Sequence, residues 1–283
     1  VGPGTTLAQE HPEWLVQGAE FGHPVHGGLK VLDVTHPDAA AHLTNVIQTI
    51  VGWGYDLLKI DFLFAGTFPG GRHENMTGMQ AYKLAMQIIR EAAGDDTILL
   101  AVGAPSIPSL PYADSWRLGP DIAFEPTDAN WFFIPAQARS IAARWHLCEI
   151  TLCDADPVLL RGLPQEEVET AGWVAAIAGG AWFLSDDLRD VDESRYDWGV
   201  DDYRSALAIG TKPAYPADLY VENPPRELAS IVNDILVQET TIVVPSTWML
   251  PDGQTLMMNM SDSAMSTEQG EIPAHASRNL GEL

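Results

Sequence analysis

Two charged side chains occupy one face of a predicted buried strand. Lys59 and Asp61 lie two residues apart within the run Leu57–Phe64, so both project from the same side of a strand. Charges on the inner face of such a strand are costly unless they are paired or used in chemistry. A neighbouring Lys favours the ionised carboxylate, which is the form that acts as the nucleophile when glycosides are cleaved through a covalent intermediate. A structural Lys–Asp pair at the strand end is the alternative that the local pattern leaves open.

A second candidate, Asp121, follows a predicted turn. Gly119 and Pro120 end a short strand, which places Asp121 in the loop beyond it. A general acid needs a raised pKa, whereas a nearby arginine lowers the pKa of a carboxyl group. If Asp121 is the acid, Arg117 is therefore expected to face substrate oxygens as well. An Arg117–Asp121 ion pair that only braces the turn is the alternative.

Further carboxylates follow other predicted strands, and these are Asp33, Asp154, Asp156, Asp186 and Asp187. Because the carboxyl ends of parallel strands gather at one edge, such residues would line a pocket that accepts hydrogen bonds from hydroxyl groups. Helix capping is the alternative for each of them, and we prefer it for Asp186 and Asp187.

No motif indicates a bound cofactor. The spacing of His23 and His26 is not that of a helical metal-binding pair, so a surface loop is the preferred interpretation. The chain also has no Gly-rich phosphate loop followed by a Lys. We therefore predict neither a metal nor a nucleotide cofactor.

The charge of the chain limits its partners. It carries 39 acidic and 15 basic residues, for a net charge of −24. Such a surface repels phosphate backbones and anionic membranes, so nucleic acid and membrane are excluded as partners, whereas a neutral sugar would not be repelled. No signal peptide and no membrane-spanning apolar run is visible, and cytoplasmic placement is the default expectation.

The two cysteines, Cys148 and Cys153, fall in one strand-like run, His146–Cys153. In a strand they would lie on opposite faces and roughly 16 Å apart. A disulfide needs Cα atoms within about 7 Å, so we predict that the two cysteines do not bridge each other. This spacing indicates a reducing compartment, or at least no disulfide framework.

Short apolar runs alternate with helical patterns over the first 212 residues. The predicted strands are Leu29–Val34, Tyr55–Phe62, Ile98–Val102, Ser115–Leu118, Leu147–Leu152 and Gly180–Leu184. The predicted helices begin at Pro37, Thr77 and Pro164 or span roughly Pro135–Trp145 and Asp202–Ile209. This alternation predicts an α/β fold with a parallel sheet, two β/α units short of a (β/α)8 barrel of about 250 residues.

The pattern changes after Lys212, where prolines break helices and β-rich runs appear. Strands are predicted at Thr240–Val244 and Thr255–Met258, and a short helix at Leu228–Val237. We therefore predict a partial catalytic barrel domain over residues 1–212 and a small β-rich domain over residues 213–283.

The chain resembles the α-galactosidases of glycoside hydrolase family 36, especially their compact bacterial and archaeal members. The segments that carry the resemblance are, in order, Glu10–Trp14, Leu32–Pro37, Lys59–Gly66, Gly70–Thr77, Gly103–Pro105, Arg117–Asp121, Asp154–Asp156, Leu159–Arg161 and Ser185–Leu188. Together they cover nearly the whole chain with sensible spacing.

This resemblance implies a (β/α)8 barrel followed by a β-sandwich-like domain. It also implies double-displacement hydrolysis of terminal α-galactosyl residues from oligosaccharides of the melibiose and raffinose type. Matched motif by motif, Asp61 is the nucleophile and Asp121 the acid/base, while Lys59, Arg117 and Asp156 hold galactose hydroxyls. The two catalytic carboxyls of a retaining enzyme lie about 5–5.5 Å apart. Relatives often assemble, so a homo-oligomer is an open expectation.

The chain departs from the family pattern at several places. The first two barrel strands have no counterpart, Val102 stands where relatives often carry a Cys, and Val25 falls where an aromatic sugar platform is expected. These departures keep open a non-catalytic or degenerate carbohydrate-binding barrel. Within the enzyme class, α-N-acetylgalactosaminidase and galactosyl transferase activities are the alternatives.

Overall fold

A computed structural model describes residues 1–23, 27–123, 130–180, 182–198, 212–233 and 236–281. The chain divides into two compact units. Val1–Trp116 form most of the first unit, and Arg117–Asn233 with Val237–Leu283 form the second. The predicted domain boundary at residue 212 stays a prediction.

The first unit begins with a short helix and two antiparallel strands and continues as alternating helices and strands. Its helices are α1 (Thr6–Glu10), α2 (Pro37–Gly52), α3 (Gly78–Ala93) and α4 (Ser106–Ser109). Its strands are β1 (Leu15–His23), β2 (Gly27–Leu32), β3 (Leu57–Ile60), β4 (Ile98–Ala101) and β5 (Ser115–Arg117). The hairpin pairs β1 with β2.

Strands β3, β4 and β5 form a parallel ladder in chain order. Leu57 pairs with Ile98, and Leu100 pairs with Ser115. Helix α3 connects β3 to β4, and α4 connects β4 to β5, so this part is the predicted α/β arrangement. The closed eight-stranded barrel stays a prediction.

Helix α3 begins and ends where the sequence indicates. Thr77 and Gln80 form a reciprocal capping box at its start, which satisfies two of the free N–H groups. Gly94 follows its last turn with φ of 74°, a conformation that glycine adopts without strain. One stripe of the helix is buried, namely Ala81, Tyr82, Met86, Ile89 and Ala93. This predicted helix is therefore confirmed.

The second unit combines two long helices with several small antiparallel sheets. Its helices are α5 (Ile134–Cys148) and α6 (Gln165–Ile177). Its strands are β6 (Leu152–Asp154), β7 (Tyr215–Pro216), β8 (Arg226–Asn233), β9 (Leu236–Val243), β10 (Thr247–Met249), β11 (Thr255–Met258), β12 (Met265–Thr267), β13 (Gly270–Ile272) and β14 (Ser277–Asn279). Strands β14, β11, β10 and β7 lie side by side in that order, while β8 pairs with β9 and β12 with β13.

A large apolar core runs through the described part of the second unit. It joins side chains of α5 and α6 to side chains of the later β-strands. Five of its fully buried members are Ile141, Val174, Trp248, Leu256 and Met258. Burial of this area is the main stabilising contribution to the unit.

A histidine ties the β-rich part of the second unit to α6. His275 contacts Glu167 through Nδ1 (2.6 Å) and Asp262 through Nε2 (2.9 Å). Its ring stacks on Trp131 with centroids 4.3 Å apart. Its carbonyl accepts a hydrogen bond from Thr170 of α6 (2.8 Å). We call this group the His275 clasp.

The prediction for the two cysteines is wrong. Helix α5 continues to Cys148, and the turn that follows brings the chain back so that Cys153 on β6 lies beside it. Their Cα atoms are 5.4 Å apart and the two residues form a disulfide. The predicted strand Leu147–Leu152 is therefore a helix end and a turn, and the distance argument that rested on an extended chain fails.

Two further predictions need correction, and a third falls outside the described residues. The predicted helix over Leu228–Val237 is wrong, because the strands β8 and β9 pair with each other there. Over the described residues of the predicted strand Gly180–Leu184, the structure has a parallel bridge between Leu184 and Val158 and no longer strand. The predicted helix Asp202–Ile209 lies outside the described residues.

Within the described ranges, no helix is both long and apolar enough to cross a membrane.

Candidate active site

The first candidate nucleophile lies where β3 ends. Leu58 is buried, whereas Leu57, Lys59 and Asp61 are exposed. The two charged residues share one face as predicted, but that face is exposed and is not the inner face of a buried strand. Asp61 follows the last residue of β3, so its carboxylate stands at the carboxyl end of the parallel ladder. This is the edge at which barrel enzymes carry their catalytic groups.

The backbone fixes one oxygen of the Asp61 carboxylate. The N–H of Phe62 donates to Asp61 Oδ1 at 2.6 Å. Phe62 has φ of 56°, in the left-handed region that is strained for a bulky residue. The chain accepts this strain directly after the candidate nucleophile, and the same turn aims the N–H at the carboxylate.

Aromatic side chains hold Phe62 in this conformation. Phe62 packs against Phe21 of β1 (centroids 5.8 Å apart) and against His23 (5.3 Å, edge to face). Phe21 also packs against Phe64 and Phe68 at 5.4 and 5.9 Å. The hairpin β1–β2 therefore supports the turn that carries Asp61.

Gly103, just after β4, also lies beside Asp61. The N–H of Phe64 donates to the Gly103 carbonyl (2.7 Å), which ties the two loops together. Gly103 has φ of 59°, and a Cβ there would lie 3.1 Å from Phe64 and 3.8 Å from Asp61 Oδ1. The positive φ favours glycine at this position, and a side chain there would also be tight against Phe64.

Asp33 is a structural anchor and not an open pocket residue. It is buried, and its Oδ1 accepts hydrogen bonds from the N–H (3.0 Å) and hydroxyl (2.6 Å) of Thr35. Its Oδ2 accepts from the N–H of His73 (2.6 Å). The expectation that Asp33 lines a sugar pocket is not supported, because these donors engage both of its oxygens.

In the second unit, three predicted site residues are in direct contact. Arg117 donates to Asp121 Oδ1 (2.5 Å) and to Asp156 Oδ1 (2.9 Å). The side chain of Asp121 is 47% exposed, whereas that of Arg117 is 11% and that of Asp156 is 6% exposed. The Arg117–Asp121 ion pair, the alternative that the sequence leaves open, is present, and Arg117 divides its charge between two carboxylates. Asp121 is the member of the group that presents itself to solvent.

The turn that carries Asp121 is closely packed. A Cβ on Gly119 would lie 2.9 Å from the Ala155 carbonyl oxygen and 2.9 Å from Gln137 Cγ. The N–H of Leu118 donates to the Asp154 carbonyl (2.8 Å), which holds the turn against β6. The backbone therefore approaches β6 too closely for any side chain at position 119.

The preferred interpretation of Asp186 as a helix cap is wrong. Its side chain is 0% exposed and accepts hydrogen bonds from the N–H of Leu160 (2.6 Å) and from the Arg161 guanidinium (2.8 Å). These partners belong to the loop between β6 and α6. Asp187 pairs instead with the exposed Arg189, whose hydrogen bonds lower the pKa of the Asp187 carboxyl.

Sequence reasoning missed the backbone donors of the site. The N–H of Phe62 donates to Asp61 and the N–H of Ile122 donates to Asp156. No pattern of residue types predicts such a backbone hydrogen bond. Val25 lies outside the described residues. Across the part of the chain that the structure describes, no cluster of three or more His, Cys, Asp or Glu residues is arranged to hold a metal ion.

Solved structures of α-galactosidases are similar to this chain. No protein-family model matches the chain. An α-galactosidase from Thermus thermophilus, solved with stachyose, is 26% identical, with a TM-score of 0.57 over 73% of this chain and 47% of its own. The same enzyme solved with p-nitrophenyl α-D-galactopyranoside gives 24% identity and a TM-score of 0.61 over 86% of this chain and 49% of its own.

This chain has an α-galactosidase-like glycoside hydrolase fold. α-Galactosidase I from Mortierella vinacea shares it, at 14% identity and a TM-score of 0.55 over 93% of this chain and 75% of its own. The chain spans about half the length of the two Thermus structures.

Proposed function

We propose that the chain carries the catalytic residues of a retaining glycoside hydrolase that removes terminal α-galactosyl residues from oligosaccharides. The observation that carries this proposal is Asp61, exposed at the carboxyl end of β3 with one oxygen held by the N–H of Phe62. The Thermus enzyme was solved with stachyose and with an aryl α-galactoside, which supports this substrate class. Membership of family 36 is part of the proposal, and a family 36 enzyme from Geobacillus stearothermophilus shares the fold at 12% identity.

Asp61 acts as the nucleophile in the first step. Its Oδ1 is held by the backbone, so Oδ2 attacks the anomeric carbon while the bond to the leaving oxygen breaks. Asp121, protonated, gives its proton to that oxygen, and a galactosyl ester on Asp61 is formed. In the second step ionised Asp121 takes a proton from water, which attacks the same carbon and releases galactose with the original configuration.

Lys59 and Arg117 supply positive charge to this chemistry. Lys59 shares the exposed face of β3 with Asp61 and adds a positive charge on the side of the nucleophile. Arg117 holds Asp121 at 2.5 Å and, by the sequence resemblance, also binds galactose hydroxyls. Asp156 is assigned to the sugar by the same resemblance, although its side chain is 6% exposed and bonded to Arg117.

The decisive test is covalent trapping on Asp61. The 283-residue chain is incubated with p-nitrophenyl α-galactoside, and separately with a 5-fluoro galactosyl fluoride, whose ring fluorine slows the second step. We expect release of p-nitrophenol and a fluorosugar adduct on the peptide that contains Asp61. Asp61→Ala abolishes both, and the control Asp56→Ala, an exposed carboxylate before the same strand, leaves both intact.

Two results would contradict the proposal. An adduct on a different carboxylate would remove Asp61 from the role of nucleophile. A chain that neither releases p-nitrophenol nor forms an adduct, yet binds galactose in a titration, would favour the non-catalytic carbohydrate-binding alternative.

A further inference from the structure

We propose that Asp154 is a positioning residue that holds the Asp121 turn in its catalytic geometry by acting through Asp156. This role rests on the proposed function, in which Asp121 is the acid/base. It also changes the interpretation of Asp156, which becomes a support for the turn and not a direct ligand of the sugar.

The first step is the bond between Asp154 and the backbone of Asp156. Asp154 is the last residue of β6, is 1% exposed, and accepts the N–H of Asp156 on Oδ1 at 2.8 Å. Asp156 has φ of 81°, in the left-handed region. A non-glycine residue there stores strain and persists only where its surroundings hold it. The Asp154 carboxylate is the side chain that accepts the N–H of this strained residue.

The second step is the pair of hydrogen bonds that the Asp156 side chain accepts in this conformation. Its Oδ1 accepts from Arg117 (2.9 Å) and its Oδ2 accepts from the N–H of Ile122 (2.9 Å). Arg117 precedes Asp121 by four residues and Ile122 follows it directly. The Asp156 carboxylate therefore accepts hydrogen bonds from the chain on both sides of Asp121, the candidate acid/base.

The third step is the consequence for Asp121 itself. Proton donation requires the carboxyl to lie within hydrogen-bond reach of the leaving oxygen, and a displacement of about 1 Å is costly. If Asp154 no longer accepts the N–H of Asp156, the left-handed conformation of Asp156 relaxes. Its hydrogen bonds to Arg117 and to the N–H of Ile122 then weaken. Arg117 would then keep its hydrogen bond to Asp121 but lose its hydrogen bond to Asp156. Asp154 thus controls how well Asp121 donates a proton without contacting the substrate.

The leaving group provides a readout that general destabilisation does not affect. p-Nitrophenolate is a weak base and departs with little help from an acid, whereas the sugar alkoxide released from melibiose needs the proton. For Asp154→Ala we expect kcat/KM on melibiose to fall at least about tenfold more than on p-nitrophenyl α-galactoside, within the 10²–10⁴ range of acid catalysis. Asp154→Asn retains a side-chain acceptor for the Asp156 N–H, so it restores most of the melibiose activity.

The matched control is Asp218→Ala. Asp218 is also a carboxylate of the second unit that accepts backbone N–H groups, those of Ser246 and Thr247, both at 3.0 Å. Its loss destabilises the unit but leaves the ratio of the two substrate activities unchanged. Amide hydrogen exchange is measured beside the kinetics, and in Asp154→Ala we expect faster exchange at Asp156 and Ile122.

Each outcome bears on one claim. If Asp154→Ala lowers kcat/KM equally on the two substrates, or leaves amide exchange at Asp156 and Ile122 unchanged, the role of Asp154 is overturned. The proposed function still stands in that case, because the wild-type chain cleaves the substrates. If the wild-type chain cleaves neither substrate, the proposed function fails, and the exchange rates alone decide whether Asp154 holds the turn.

Discussion

Breaking the Cys148–Cys153 disulfide should destabilise the second unit by about 2 kcal/mol. The two cysteines are five residues apart in sequence, so the bond closes a small loop. The chain-entropy relation for a loop of about six residues gives an entropy of about 7 cal/mol/K, which is about 2 kcal/mol at 25 °C. For a unit of about 150–250 residues, the size class of the second unit, such a loss lowers Tm by about 4–8 °C.

The assay first counts thiols and then measures stability. The chain is equilibrated in a glutathione redox buffer, unfolded, and alkylated with or without prior reduction, and the mass is recorded. We expect alkyl groups to be added only after reduction. Urea unfolding of the oxidised and reduced chains should then differ by about 2 kcal/mol. The double variant Cys148→Ser, Cys153→Ser should resemble the reduced chain and ignore the reductant.

Two results would refute this reasoning. If both thiols are alkylated without reduction, the turn after α5 does not bring the sulfur atoms together. The prediction from the sequence that the two cysteines do not bridge each other would then be correct. If the bond forms but its reduction leaves the unfolding curve unchanged, the loop is already constrained in the unfolded chain.

Three other changes have expected outcomes. Gly119→Ala places a methyl group 2.9 Å from the Ala155 carbonyl oxygen; we expect a loss of about 1–3 kcal/mol in urea unfolding and a larger fall in kcat/KM than that loss explains, and unchanged kinetics would contradict the tight turn. Burial raises the pKa of Tyr82, which contacts Ser109 at 2.5 Å. Its contribution to stability is therefore full below the unfolded pKa of about 10 and lost as pH rises above it, so Tyr82→Phe should flatten the pH dependence of unfolding between pH 9 and 11. Asn259 is buried and donates to three backbone carbonyls. Asn259→Ala should cost about 2–4 kcal/mol by thermal unfolding, and a cost below about 1 kcal/mol would show that water replaces these bonds.

Local signals predicted helix α3 and the charged side of strand β3, although they missed strand β1 and its antiparallel pairing with β2. Thr77 and Gly94 mark the ends of α3 with the capping chemistry that the structure uses. The alternation around Leu58 predicted which side of β3 carries charge. These features depend on near neighbours in sequence, so the sequence contains the information that decides them.

The failures occurred where tertiary packing decided between local alternatives. The run His146–Cys153 alternates apolar residues as a strand would, yet α5 extends into it to Cys148. Likewise Leu228–Val237 has residues that suit a helix, but pairing with a partner strand decided the outcome. Short apolar runs of this length do not distinguish the two structures.

The candidate site was predictable as residue types and not as a network. Arg117, Asp121 and Asp156 were selected from spacing and resemblance, and the structure joins them. Their partition into an exposed carboxylate and a buried one depends on the N–H of Ile122 and on the left-handed backbone at Asp156. Neither is visible in a sequence, because backbone donors are common to all residues except proline.

The His275 clasp has a consequence for attempts to recombine this protein with its relatives. Glu167 and Thr170 on α6, and Trp131 before α5, all contact the same residue near the end of the chain. A chimaera that exchanges everything after residue 212 would separate these partners, leaving a carboxylate and an indole without their imidazole. The region beyond residue 212 is therefore not an interchangeable module, and α6 has to be transplanted together with it.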